Sequence, residues 1–265
     1  MVAKSVCHNR TMNRADPIET AVEILRDRYA DADSAFVAGS VMRGEGTPTS
    51  DLDIVVLFPR IERSYRESFF YPRGDFERGW PIETFVHDEE TIEYYFIEKD
   101  LKSGVGAIMH MVHDGVPVPT RTALNERIKA RANALLDAGP PVVSAADVDY
   151  GRYTITGLLD DLIEPRNDDE ARAVVASLHH VLANHWLRGK GRWGAHGKTI
   201  ARRLALADAA LARRFDAAFA AAFEGNRFDA LFAVADEMLA PTGGRLFDGH
   251  SAKSDPSWRR APPHG

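Results

Sequence analysis

The stretch that most constrains this chain spans residues 37–58, where two aspartates interrupt an apolar strand pattern. It reads VAGSVMRGEGTPTSDLDIVVLF, with Asp51 and Asp53 at the start of the second apolar run. Because side chains alternate across a strand, both carboxylates fall on the same face. Two like charges beside a buried strand are unfavourable unless a cation neutralises them. We therefore predict a metal site at this strand.

Carboxylate oxygens in this arrangement indicate Mg²⁺, a hard cation that leaves room for phosphate oxygens. Glu83, in the predicted strand WPIETFVHD, offers a third carboxylate if that strand lies beside the first. The alternative for Glu83 is a solvated glutamate on the outward face of an edge strand. The turn at Gly39 and Ser40 supplies a possible phosphate cradle, because glycine allows close backbone approach and the serine hydroxyl can donate.

An apolar strand, a Gly-Ser turn, a short loop and an Asp-apolar-Asp strand together resemble the signature of the nucleotidyltransferase superfamily. DNA polymerase β and the aminoglycoside nucleotidyltransferases share that fold. Gly39, Ser40, Asp51, Asp53 and Glu83 carry the resemblance. The resemblance implies two Mg²⁺ ions held by the aspartates, with Glu83 as a further ligand or as the base for the acceptor.

The order of the chain, an α/β region followed by a helical region, further resembles the bacterial aminoglycoside adenylyltransferases. That likeness implies transfer of AMP from ATP to a hydroxyl of a small acceptor. Two alternatives stay open: a protein AMP-transferring enzyme of the toxin–antitoxin type, and a non-catalytic nucleotide-binding module. The antitoxin-type enzymes are usually much shorter, and the intact acidic pair does not suggest a decayed site.

A Gly-rich basic stretch, WLRGKGRWGAHGKTIARRL, spans residues 186–204. Its Gly-Lys-Thr triplet does not make a P-loop, because Arg192 stands where the first glycine is required and the preceding segment is helical. We expect a loop with Lys198 at a helix N-terminus, where anions are favoured, similar to the Lys-bearing loop of the adenylyltransferases. Lys190 and Arg192, like Arg43 near the Gly-Ser turn, could also contact a triphosphate. A solvated basic loop is the alternative.

The sequence patterns predict an α+β fold, since helix and strand patterns alternate up to Pro119 and almost all later patterns are helical. The predicted parts are a flexible tail at 1–15, a nucleotidyltransferase domain with a mixed sheet and flanking helices at 16–119, a helical bundle domain at 120–248, and a flexible tail at 249–265. Within the helical part, one apolar stripe of helical spacing runs from Ile200 to Phe223.

The composition of the chain limits the classes of partner that it fits. The formal net charge of -6 disfavours a nucleic-acid binder and fits a cationic small acceptor, and a single cysteine excludes a disulfide framework or a Cys-rich zinc site. No apolar segment resembles a signal peptide or a membrane span, so we expect a cytoplasmic protein. Asp160 and Asp161 could face a cationic acceptor or supply a base, although a solvated helix face is the favoured interpretation.

Overall fold

The computed structural model describes residues 15–72 and 78–259. The chain divides into two compact units after Ala138. Of the predicted flexible tails, residues 1–14 and 260–265 lie outside the described residues.

The first unit alternates helices and strands around one sheet. In chain order its elements are α1 (Pro17–Arg28), β1 (Ser34–Ala38), α2 (Gly39–Met42), β2 (Leu52–Leu57), β3 (Tyr65–Tyr71), β4 (Trp80–His87), α3 (Glu89–Tyr95) with a π-helical continuation (Phe96–Leu101), α4 (Ala107–Asp114), β5 (Val116–Val118) and α5 (Ala123–Ala138).

The five strands lie in the order β3-β4-β2-β1-β5. Strands β2 and β4 pair in parallel, and the other neighbours pair antiparallel, which confirms the predicted mixed sheet. Strand β3 was not predicted, and it covers the side of β4 that faces away from β2. Glu83 on β4 therefore lies on an inner strand, and the alternative that placed it on an edge strand is wrong.

Helices cover both faces of this sheet. The Asp16 side chain caps α1 by accepting hydrogen bonds from the amides of Ile18 and Glu19, and α1 buries Ile24 in the core of one sheet face. Helices α4 and α5 pack on each other and on β1. Because α5 makes these contacts, the first unit extends to Ala138, beyond the boundary predicted at Pro119.

The second unit is helical. Its helices are α6 (Ala145–Asp160), α7 (Asp168–Gly189), α8 (Thr199–Ala207), α9 (Ala209–Gly225) and α10 (Asp229–Leu239). They enclose one apolar core in which Leu178, Phe215 and Met238 are fully buried. None of the described helices is long and apolar enough to cross a membrane.

Two helices share the apolar stripe that begins at Ile200. The chain leaves the helical conformation at Asp208, where φ is -159° and ψ is 101°. The Asp208 carboxylate then accepts hydrogen bonds from the amides of Ala210 and Leu211, at 3.0 and 2.9 Å, and so begins α9. The apolar period continues across this cap because both helices pack on the same core.

Candidate functional site

Three carboxylates meet at the sheet where β2 and β4 lie side by side. Asp53 and Glu83 occupy paired positions of these parallel strands, and Asp51 immediately precedes β2. One carboxylate oxygen of each residue lies within 4.8 Å of those of the other two, and all three residues are half-buried. The structure thus brings together the three predicted metal ligands, which we call the acidic triad.

Gly39 lies against the acidic triad. Strand β1 ends with Ala38 directly opposite Asp53, and Gly39 follows with a φ of +85°. A Cβ atom added at Gly39 would lie 2.1 Å from Oδ2 of Asp53. Glycine is therefore required at position 39 for two reasons: the backbone is left-handed, and the Asp53 carboxylate lies where a Cβ atom would be.

The loop from Ser40 back to β2 is fixed by polar contacts around a buried serine. The Ser40 hydroxyl donates to Oγ of Ser50 at 3.3 Å, and the Thr47 amide donates to the same oxygen at 2.9 Å. The indole of Trp80, the first residue of β4, donates to the Ser50 carbonyl at 3.2 Å. Ser50 immediately precedes Asp51, so these bonds hold the start of the triad in place. Sequence reasoning did not single out Ser50 or Trp80.

Arg66 on β3 is a site residue that sequence reasoning missed. Ser68 is the cross-strand partner of Glu83, and Arg66 lies two residues earlier on the same strand face. The Arg66 guanidinium donates to the Glu83 carboxylate, and this bond raises the pKa of Arg66. The signal was the alternation in YRESFFY, which puts Arg66 and Ser68 on one face, but it was informative only once β3 was recognised as a strand.

Of the predicted basic contacts, Arg43 and Lys198 lie in different units. The Arg43 guanidinium pairs with Glu45 at 2.9 Å in the loop after the Gly-Ser turn. Lys198 is exposed and directly precedes α8, at the helix N-terminus that the sequence predicted. Its loop follows the long helix α7, in agreement with the exclusion of a P-loop. Asn184 on α7 secures the loop by bonding both the amide and the carbonyl of Ala195, at 2.8 and 2.9 Å.

Asp160 and Asp161 lie at the end of α6 in the second unit and are exposed. They line an open cavity of about 570 Å³ together with Glu164 and Glu170. The Arg166 guanidinium also lines it and pairs with Glu170 at 2.8 Å. This acidic surface is compatible with a cationic ligand and equally with a solvated helix end.

The acidic triad fits a divalent metal ion. Its donors are all carboxylate oxygens, which are the ligands that Mg²⁺ prefers in proteins. Within residues 15–72 and 78–259, no other cluster of three histidine, cysteine or acidic side chains has this geometry. Packing three carboxylates this closely raises their mutual repulsion, and a divalent cation would relieve it.

Comparison with known proteins agrees with this geometry. Residues 18–138 match the family described as "Nucleotidyltransferase domain". Among solved structures, a nucleotidyltransferase-like protein from Exiguobacterium sibiricum 255-15 is similar, with 14% sequence identity and a TM-score of 0.40 over 83% of this chain and 74% of that chain. At that identity and TM-score the likeness carries no weight for function. No curated protein sequence matches significantly. The fold is α+β, with an N-terminal region that matches the nucleotidyltransferase domain family and a helical region after it.

Proposed function

We propose that this protein is a metal-dependent nucleotidyltransferase that moves AMP from ATP to a hydroxyl of a small cationic acceptor of the aminoglycoside type. The observation that carries the proposal is the acidic triad, with Gly39 packed against the Asp53 carboxylate. The match of residues 18–138 to the nucleotidyltransferase domain family supports nucleotidyl transfer in general. The choice of AMP and of an aminoglycoside-like acceptor rests on the resemblance in the sequence.

Asp51, Asp53 and Glu83 would hold the Mg²⁺ ions. Bound there, Mg²⁺ supplies charge neutralisation at the reacting phosphate and polarises the attacking oxygen. Glu83 has a second possible role, because a carboxylate at this position can accept the proton of the acceptor hydroxyl. The Gly39 amide and the Ser40 hydroxyl would donate to oxygens of the distal phosphates, with Arg43 and Lys198 as further cationic contacts.

The proposed acceptor is positively charged. The net charge of -6 favours a cationic molecule over a nucleic acid. Asp160 and Asp161 give the second unit an acidic surface that suits such a molecule. These features support a cationic, polyamine-like acceptor.

The test is an assay of pyrophosphate release with ATP, Mg²⁺ and a panel of acceptors that includes aminoglycosides and candidate proteins. We expect release with an aminoglycoside or a related polyamine, and loss of release in Asp53→Asn and Asp51→Asn. Asp31→Asn, an exposed aspartate in the same unit, is the matched control and should retain activity.

Each contrary result has a distinct meaning. Release that occurs only with a protein acceptor would move the function to protein AMP transfer. Nucleotide binding without turnover on any acceptor would indicate a non-catalytic module. Full activity in Asp53→Asn would overturn the nucleotidyltransferase assignment itself.

A further inference from the structure

Glu83 already has a cationic partner on the neighbouring strand. The Arg66 guanidinium bonds Oε1 of Glu83, and the Ser68 hydroxyl donates to the same oxygen at 3.4 Å. Oε1 of Glu83 therefore has two partners on β3, one of them charged. A carboxylate engaged in this way is oriented before any ligand arrives.

The two members of this ion pair differ in their freedom to move. The Glu83 side chain is 20% exposed and Arg66 is 59% exposed. The Arg66 guanidinium lies over the ring of Phe85, 5.0 Å from its centroid, and this contact supports the charged group without enclosing it. Arg66 can thus leave Glu83 without disturbing the core, whereas Glu83 is held by the inner strand β4.

The positive charge of Arg66 also acts on the other carboxylates of the acidic triad. Asp53 is the strand partner of Glu83, so the Arg66 guanidinium also lies near a second carboxylate of the acidic triad. One guanidinium therefore offsets part of the repulsion within the acidic triad. A divalent cation bound to the triad would be repelled by Arg66, since like charges a few ångströms apart disfavour each other.

We propose, on the basis of the function above, that Arg66 is a positioning residue that competes with the divalent cation for Glu83. In the metal-free protein Arg66 pairs with Glu83 and keeps the triad assembled. Cation binding displaces the guanidinium from Glu83. Arg66 consequently lowers the measured affinity of the triad for the metal. When the metal is bound, the displaced planar guanidinium of Arg66 can donate hydrogen bonds beside the site.

The experiment is a titration with Mn²⁺, followed by electron paramagnetic resonance and without nucleotide or acceptor. Arg66→Gln should bind Mn²⁺ about fivefold more tightly than the unaltered protein, the order expected for removing one charge near a partly exposed site. Arg28→Gln is the matched control. It removes the same charge and an ion pair to Glu67 on the opposite face of β3, so its Mn²⁺ affinity should not change.

A role of Arg66 that is purely structural gives the opposite result, because a disordered Glu83 would weaken Mn²⁺ binding. Unchanged or weaker binding in Arg66→Gln would therefore overturn the proposal. The Asp53→Asn variant distinguishes failure of this proposal from failure of the proposed function. If Asp53→Asn binds Mn²⁺ as well as the unaltered protein, the triad is not the metal site and both proposals fail.

The unaltered protein gives a second readout in case Arg66→Gln does not fold. The guanidinium NMR signal of Arg66 should shift when Mg²⁺ is added, because the hydrogen bond to Glu83 is lost. The same signal should stay in place in Asp53→Asn. A signal that does not move while Mg²⁺ binds to the unaltered protein would contradict displacement.

Discussion

The two units bury different kinds of side chain. Of the polar and charged residues that are buried within the described chain, all but Thr156 lie in the first unit, among them Thr84, His87 and Asp100. The core of the second unit consists of apolar side chains around Phe215. The first unit combines an apolar core with buried hydrogen-bonding and ionisable groups, whereas the core of the second is almost entirely apolar.

This difference separates stability from chemistry. Apolar burial stabilises a helical unit without specifying a reaction, whereas buried polar groups cost stability unless each finds a partner. Asp100 shows how the first unit meets that requirement: the residue is 3% exposed, and its carboxylate accepts a hydrogen bond from the Met109 amide at 2.8 Å, at the start of α4. Mutations in the first unit should therefore act mainly on the site or its pH response, and mutations in the second mainly on stability.

The largest expected effect is in the apolar core of the second unit. Phe215 is fully buried, and its ring centroid lies 4.5 Å from that of Phe219. Phe215→Ala should lower the free energy of unfolding by about 3–5 kcal/mol, because it removes buried area and leaves a cavity. Urea denaturation followed by circular dichroism measures this. Phe223→Ala, at a residue that is 42% exposed, should lose far less stability, and equal losses would contradict a core centred on Phe215.

The second effect is on the site in the first unit. Gly39→Ala places a methyl group where Oδ2 of Asp53 now lies, so the carboxylate must move. We expect nucleotidyl transfer to fall about a hundredfold or more, the order seen when a reacting group shifts by about an ångström. Steady-state kinetics would show this. Gly44→Ala shares the positive φ but meets no nearby atom, so it separates backbone strain from displacement of Asp53.

The third effect is a pair of opposed pH dependences within the first unit. Burial raises the pKa of Asp100 to about 6 and lowers the pKa of His87 to about 4. The folded state therefore holds a proton on Asp100 that the unfolded chain releases, and stability from this group falls as pH rises from about 4 to 6. His87 stays neutral when folded, so its contribution falls as pH decreases from about 6.5 to 4.

The contributions of Asp100 and His87 to stability cancel in part between pH 4 and 6. Replacing one of these side chains should therefore leave the pH dependence of the other. Asp100→Asn should lose stability on acidification by on the order of 2 kcal/mol, and His87→Leu should lose stability as pH rises over the same window. Thermal unfolding at several pH values measures both. Identical pH profiles in the two variants would show that these side chains do not control the acid response of the first unit.

The smallest effect concerns Lys198 in the second unit. This exposed side chain contributes no packing, so Lys198→Ala should leave the melting temperature unchanged. If it contacts the nucleotide, ATP affinity should weaken by about fivefold or less, as is usual for an exposed charge. Lys253→Ala, also exposed, is the matched control for titration calorimetry. Equal ATP affinity in both variants would remove Lys198 from the site.

The sequence predicted the core of the site because its signal is local. Asp51 and Asp53 are two residues apart, and strand alternation alone puts them on one face. The pairing with Glu83 required a neighbouring parallel strand, and the pattern in WPIETFVHD made that plausible without proving it. The structure has this pairing.

Strand β3 and its Arg66 could not be found in the same way. Its residues alternate between half-buried and exposed, so the strand has no fully buried face and its apolar signal is weak. Antiparallel pairing with β4 stabilises it through backbone hydrogen bonds that leave no mark on the sequence. The end of the first unit likewise depended on tertiary packing, since α5 has the pattern of any amphipathic helix and belongs to this unit because it packs on α4 and β1.

The parallel pairing of β2 with β4 also has a kinetic consequence. Asp53 and Glu83 are partners across that pairing, yet β3 lies between them in the chain. Pairing two strands that are far apart in the chain costs loop-closure entropy before the stabilising contacts form. The pairing is therefore slow. A chain that has folded β1 and β2 as a hairpin holds only two of the three carboxylates. Tight divalent-ion uptake during refolding should therefore report when β4 pairs with β2 and brings Glu83 to the two aspartates.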